Sequence, residues 1–136
     1  MTPSANQYLF VYGTLLVEGN PYAAYLSQHC KFIKTGRFKG RLYDVGEYPA
    51  ALADQSARLF VHGSIYLMDE PDKTLTHIDQ YEGIAPNEPA PHEYVRVLLP
   101  VETDTDAVTC WVYLYNWPVG GLPKIISGNY RQHKQL

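Results

Sequence analysis

The stretch from Cys30 to Asp44 most constrains the fold. It alternates in the manner of a strand, imperfectly, and is broken twice by glycine, at Gly36 and Gly40. Glycine inside a strand pattern marks bulges and barrel corners, where the backbone bends or another chain segment comes close. A long, bent strand of this kind asks for a curved sheet. The remaining β-patterned segments supply one. Tyr8 to Tyr12 is an aromatic and β-branched run, Ala50–Ala53 is a short strand, and Phe60–Met68 and Tyr94–Val101 follow. Ala107–Trp117 is the clearest: Thr109, Trp111, Tyr113 and Tyr115 share one face, and Val108, Cys110, Val112 and Leu114 the other. Two segments read as helices. Asn20-Pro21 suits a cap and first helical position, opening a helix through Gln28 with Tyr22, Tyr25 and Leu26 as its buried stripe. Pro71 suits the start of a second helix, and Gly83 its end. The expected class is α+β: a small mixed β-barrel of about six strands with two or three short helices.

With 136 residues, the chain is long enough for one core and too short for two. Residues 1–7 read as a disordered tail, and 8–136 as a single domain. That tail has no positive charge followed by an apolar core, so no signal peptide is expected. No apolar run reaches membrane-spanning length. Two cysteines far apart, Cys30 and Cys110, suggest neither a disulfide scaffold nor a metal knuckle, and point to a reducing compartment, the cytoplasm. The net charge of −3 argues against nucleic acid as a partner. The basic residues between Lys31 and Arg41 read as a solvated strand face. Oligomeric state is not legible at this level.

One carboxylate stands out. Leu75, Ile78 and Glu82 follow the i, i+3, i+7 spacing of one helix face, and the two apolar members must point inward. Glu82 is thereby carried toward the interior, whereas Asp72, Asp79 and Gln80 are read as facing away. A buried carboxylate is costly unless it is paired or has work to do. The run Tyr8 to Tyr12 breaks at once into Gly13-Thr14-Leu15, which reads either as a plain turn or as a set of peptide N–H groups able to hold an anion. Beyond Glu82, the segment 84–92 holds three prolines and reads as a stiff loop, one wall of a cleft. No nucleophile elbow, phosphate-cradling loop or metal-ligand spacing is present.

Three motifs in register carry a resemblance: Tyr12-Gly13-Thr14-Leu15, then Leu42-Tyr43-Asp44-x-Gly46-x-Tyr48-Pro49-Ala50, then Asp79-x-Tyr81-Glu82-Gly83. With Tyr94-x-Arg96 and Tyr113-Leu114-Tyr115, they resemble the γ-glutamylcyclotransferase-like superfamily, in particular its γ-glutamylamine cyclotransferase and AIG2-like branch. The similarity runs from about Tyr8 to Asn129. It departs at Ser127-Gly128-Asn129-Tyr130, where many relatives carry an acidic residue and a tryptophan.

The resemblance implies a cyclotransferase that converts a small γ-glutamyl amine or γ-glutamyl peptide to 5-oxoproline and a free amine. Glu82 would be the catalytic acid/base, and the Tyr12, Gly13, Thr14 and Leu15 loop would hold the γ-glutamyl group, with no metal or organic cofactor. Tyr115 has two readings, a hydroxyl presented to the pocket or an ordinary barrel-lining ring. The competing expectation is a non-catalytic module that binds a small acidic metabolite in the same cavity.

Overall fold

The computed structural model describes residues 7–13, 21–84 and 90–134. In chain order these form β1 (Tyr8–Val11), α1 (Pro21–His29), β2 (Cys30–Asp44), β3 (Pro49–Ala53), β4 (Phe60–Met68), α2 (Pro71–Tyr81), β5 (Tyr94–Glu102), β6 (Ala107–Tyr115) and α3 (Tyr130–Lys134). The strands lie in the order β3-β2-β4-β1-β6-β5, and a further pairing of β2 with β5 closes five of them into a barrel. Strand β3 pairs only along the far half of β2, from Gly40↔Ala53 to Asp44↔Pro49. The 15-residue β2 therefore changes partners along its length, pairing with β4 over its first part and β3 over its last. A register shift between Phe32 and Lys34 helps it bend. Strands β1 and β6 run parallel, with Leu9 opposite Trp111; the other ladders are antiparallel. This is the α+β mixed barrel expected from the sequence.

Strand alternation divides the apolar residues into two cores. Phe10, Phe38, Leu42, Val61, Ile65, Val101, Cys110 and Val112 pack together inside the barrel. Leu9, Val11, Met68, Tyr94, Tyr113 and Tyr115 project from the opposite faces and are covered by Leu26 of α1 and by Leu75 and Ile78 of α2. Both faces of β6 are thus buried, which explains its unbroken apolar and aromatic run. In α1, Leu26 is buried as expected, while Tyr22 and Tyr25 are only half-buried. Their rings pack across to α2 instead: Tyr22 against Tyr81 at 4.4 Å between centroids, and Tyr25 stacked on His77 at 4.2 Å.

The C-terminal segment does more than wrap the surface. Ile125 and Tyr130 are buried in the barrel core, and Asp44 at the end of β2 holds His133 Nε2 at 2.9 Å and Lys134 Nζ at 3.1 Å. Among the described residues no helix is long and apolar enough to cross a membrane. Of the tail expected at 1–7, residues 1–6 lie outside the described residues, as does most of the proline loop, 85–89, while the Gln7 carbonyl accepts the Met68 N–H at 2.9 Å.

Candidate active site

Helix α2 starts at Pro71 and ends at Tyr81, with Glu82 as its C-cap. The Glu82 N–H donates to Ile78 O at 2.9 Å, which holds the residue in register with the helix, and Gly83 follows at φ +78°, a left-handed turn that suits glycine. Leu75 and Ile78 are buried, as the face argument requires, and Glu82 is half-buried one turn further on. Its side chain lines a pocket with Tyr12 and Gly13 from the end of β1, Tyr48 and Pro49 at the start of β3, Tyr94 of β5 and Tyr113 of β6.

Each wall is fixed from behind. The Tyr12 hydroxyl donates to the Tyr113 carbonyl, and the Tyr94 hydroxyl donates to Pro49 O at 2.5 Å. Tyr48 donates to Glu93 Oε2 at 2.5 Å. A Cβ at Gly13 would stand 2.6 Å from Pro49 Cγ, so the turn after β1 needs glycine for space.

Electrostatics single out Glu82. Burial, with smaller repulsions from Glu93 and Asp79, pushes its carboxyl up from 4.5 to about 8. A group that titrates there can both accept and return a proton near neutral pH. The surrounding phenols are pushed the other way from usefulness as acids: burial raises Tyr12, Tyr94 and Tyr113 above the usual tyrosine range. They act as neutral hydrogen-bonding rings.

Asp79 corrects one reading of the helix. It was expected to face away, yet its side chain is only 18% exposed and lies beside the site. Arg96 grips it through two nitrogens, at 2.8 and 3.0 Å, and the Tyr113 hydroxyl donates to the same carboxylate at 2.6 Å. The guanidinium also sits over the Trp111 ring, 4.7 Å from its centroid. The signal was in the spacing, since Asp79 is i+4 from Leu75 and i−3 from Glu82.

The sequence-predicted residues are brought together unevenly. Glu82, Tyr12 and Gly13 share the pocket, while Thr14 and Leu15 lie outside the described residues. Tyr115 stands one ring back, buried and edge-on to Tyr94 at 5.5 Å, because its face of β6 is filled by that ring. Sequence reasoning singled out neither Glu93 nor Tyr94, Pro49 or Tyr113 as site residues. Tyr94, Pro49 and Tyr113 reach the pocket from three different strands and Glu93 holds Tyr48 beside it, a convergence that local patterning does not reveal. Among the described residues no group of His, Cys, Asp and Glu could hold a metal ion. Only about 30 Å³ is open between these walls, and a larger cavity of about 480 Å³ lies elsewhere, with Tyr12 bordering both. The smaller pocket is the stronger candidate for chemistry because it contains Glu82, a carboxyl pushed up toward neutrality.

Comparison with known proteins agrees with the fold. The family described as "Gamma-glutamyl cyclotransferase, AIG2-like" matches residues 9–132. The gamma-glutamylcyclotransferase family protein ytfP of Citrobacter rodentium (strain ICC168) is 30% identical over 128 residues, covering 93% of this chain and 97% of that one. The crystal structure of an AIG2-like protein from Mus musculus superposes with a TM-score of 0.68 at 27% identity, covering 91% of this chain and 87% of that chain. YkqA from Bacillus subtilis superposes with a TM-score of 0.72 at 26% identity over 96% of this chain, which spans only 42% of that longer protein. The chain belongs to the AIG2-like gamma-glutamyl cyclotransferase family.

Proposed function

We propose that the protein is a γ-glutamyl cyclotransferase acting on a small γ-glutamyl amine or γ-glutamyl peptide, with Glu82 as its acid/base. The observation that carries this reading is a half-buried glutamate, pushed up to about 8, opening on the pocket beside the turn that follows β1. In a γ-glutamyl amide the α-amino group can attack the side-chain carbonyl and close a five-membered lactam. That amine has a reference pKa of about 8 and is mostly protonated near neutral pH, which blocks attack. Ionised Glu82, with a similar pKa, would take its proton at little free-energy cost. The new bond forms between the amine nitrogen and the carbonyl carbon. As the tetrahedral intermediate collapses, the old C–N bond breaks and Glu82 gives that proton to the departing nitrogen; the freed carboxylate then takes the surplus proton from the ring nitrogen, and the released amine carries it away as its ammonium form. The products are 5-oxoproline and a free amine, and no water is consumed.

The aromatic walls serve the same chemistry. Tyr12, Tyr94 and Tyr113 are tied to backbone or to Asp79, so the pocket is shaped before substrate arrives. A substrate held bent, amine over carbonyl, gains the advantage of an intramolecular reaction. Peptide groups of the Tyr12 to Leu15 turn would hold the γ-glutamyl head, and Tyr115 would support the wall through Tyr94.

The test is 5-oxoproline release from a panel of γ-glutamylamines and γ-glutamyl amino acids, with Glu82→Gln run in parallel. Wild-type turnover is expected with at least one class. The variant should fall by roughly a hundredfold to ten-thousandfold, as for loss of a general base. Undiminished turnover in Glu82→Gln would remove the mechanism. Absence of product across the panel, with a thermal shift on ligand addition, would support a binding module instead.

A further inference from the structure

The 480 Å³ cavity shares Tyr12 with the Glu82 pocket, and its floor follows from strand register. Thr35 pairs with Ser64, Gly36 with Gly63, and Arg37 with His62 across β2 and β4. A Cβ on Gly36 would meet Val101 and Ile65, and one on Gly63 would meet Phe10 and the Val11 carbonyl. The glycines therefore face the barrel interior, and by alternation Thr35, Arg37, His62 and Ser64 face outward. Arg37 also pairs with Glu102 of β5, and the His62 N–H donates to Gly128 O at 2.8 Å. The row Glu102, Arg37, His62 is thus extended by Asn129 and Arg131, and the Thr103–Asp104 turn closes the opposite side.

This floor is rich in hydrogen-bond donors with little to do. The Thr35 and Ser64 hydroxyls make no hydrogen bond to a described residue, and Arg131 forms no ion pair with one. Asn129, which lines the cavity, accepts the Gln132 N–H on its carbonyl oxygen at 3.0 Å, and its amide hydrogens make no hydrogen bond to a described residue. Arg37 lies over the Phe60 ring at 3.9 Å and reaches Glu102 only at 3.8 Å, with both side chains nearly half exposed (47% and 48%). An exposed pair at that distance is weak and exchangeable. Asp104, the other acid, is drawn toward Lys34 at 3.9 Å. His62 is held below its ordinary range by burial and by Arg37, so at neutral pH it offers a neutral ring nitrogen. The volume is within the roughly 300–1,000 Å³ of small-molecule sites.

We propose that this cavity is a second ligand site, which takes a small molecule by an oxyanion held between Arg37 and Arg131, with Ser64, Thr35 and Asn129 as further donors. Guanidinium groups are suited to such recognition because their fork matches the spacing of carboxylate and phosphoryl oxygens. Tyr12 forms the partition between this site and the Glu82 pocket. The proposal does not depend on the cyclotransferase reading.

Titration of the full chain, ¹⁵N-labelled, with inorganic phosphate and separately with succinate tests it, at ionic strength held constant with chloride. Saturable amide shifts are expected at 35–37, 62–64 and 129–131, with the surface around Lys73 unmoved. Saturation by phosphate alone identifies a phosphoryl ligand, by succinate alone a carboxylate, and by both the oxyanion itself. Arg131→Gln, at an exposed position, should weaken binding about tenfold, the scale of one charge-assisted hydrogen bond; Arg37→Gln provides an independent variant. Shifts scattered over all basic residues, no saturation, or affinity unchanged in both variants would overturn the site.

Discussion

Glu82 holds its proton more tightly in the folded protein than in the unfolded chain, because burial and the neighbouring Glu93 and Asp79 disfavour the anion. Folding therefore takes up a proton between pH 4.5 and about 8, and stability from this group is complete below that window and falls as pH rises through it. Each pKa unit corresponds to about 1.4 kcal/mol, so a rise from 4.5 to about 8 sets an upper bound of about 5 kcal/mol for the ionised side chain at pH 9, which solvent screening of a half-buried group reduces to roughly 3 kcal/mol. Glu82→Gln removes that cost. Its melting temperature should exceed the wild type's by several degrees at pH 9 and match it near pH 4.5. Thermal melts of both proteins across this range check the sign, and parallel curves would show that Glu82 ionises without penalty. The position of Glu82 was legible in the sequence because helical spacing ties it to Leu75 and Ile78. Glu93 was not, since its influence arrives from the start of β5 and its hydrogen bond from Tyr48, 45 residues away.

At the scale of elements, the C-terminal segment is where sequence patterning said least. Its Gly- and Lys-containing run has no strand or helix period, yet Ile125 and Tyr130 enter the barrel core and α3 is clamped to the end of β2. The clamp is Asp44. Burial would raise its carboxyl, but His133, Lys134 and the Gly46 N–H together hold it below the usual range. A lowered acid contributes stability above its unfolded value of 3.8, lost as pH falls through the lower folded value. Asp44→Asn should therefore cost about 1–2 kcal/mol at pH 7, within the range for hydrogen bonds to charged groups. The cost should shrink in acid. Hydrogen exchange followed by mass spectrometry should show faster exchange in 125–134 with β6 unchanged, whereas uniform acceleration would mean that Asp44 supports the whole barrel. Helix α2 and the six strands were readable from periodicity because their buried faces repeat at 3.6 or 2 residues. Tyr22 and Tyr25 escaped the same rule because the rings of α2 half-cover them instead of the core.

Closure of the barrel is a property of the whole molecule, and glycine makes it possible where two strands approach too closely for side chains. Gly36 and Gly40 announced the bend of β2 in the sequence, but the pairing of β2 with β5 that closes the ring is long-range and left no local mark. One consequence falls on Gly63, where β4 meets β1. A Cβ there would lie 2.3 Å from the Val11 carbonyl oxygen and 2.7 Å from Phe10 Cζ, against backbone that cannot swing aside. Relief requires β1 to move off β4, and β1 is the strand from which Tyr12 and Gly13 enter the Glu82 pocket. Gly63→Ala should thus destabilise the protein by about 3 kcal/mol, the upper part of the range for overpacking a well-filled interior. It should also impair the site some distance along the strand. Gly120→Ala is the matched control, because nothing lies within 4 Å of its added methyl and its backbone is not left-handed. Denaturant midpoints for the two variants decide the matter. A large loss at position 63 with none at 120 means that close approach of β1 to β4 holds the barrel shut; equal effects would place the requirement in backbone entropy.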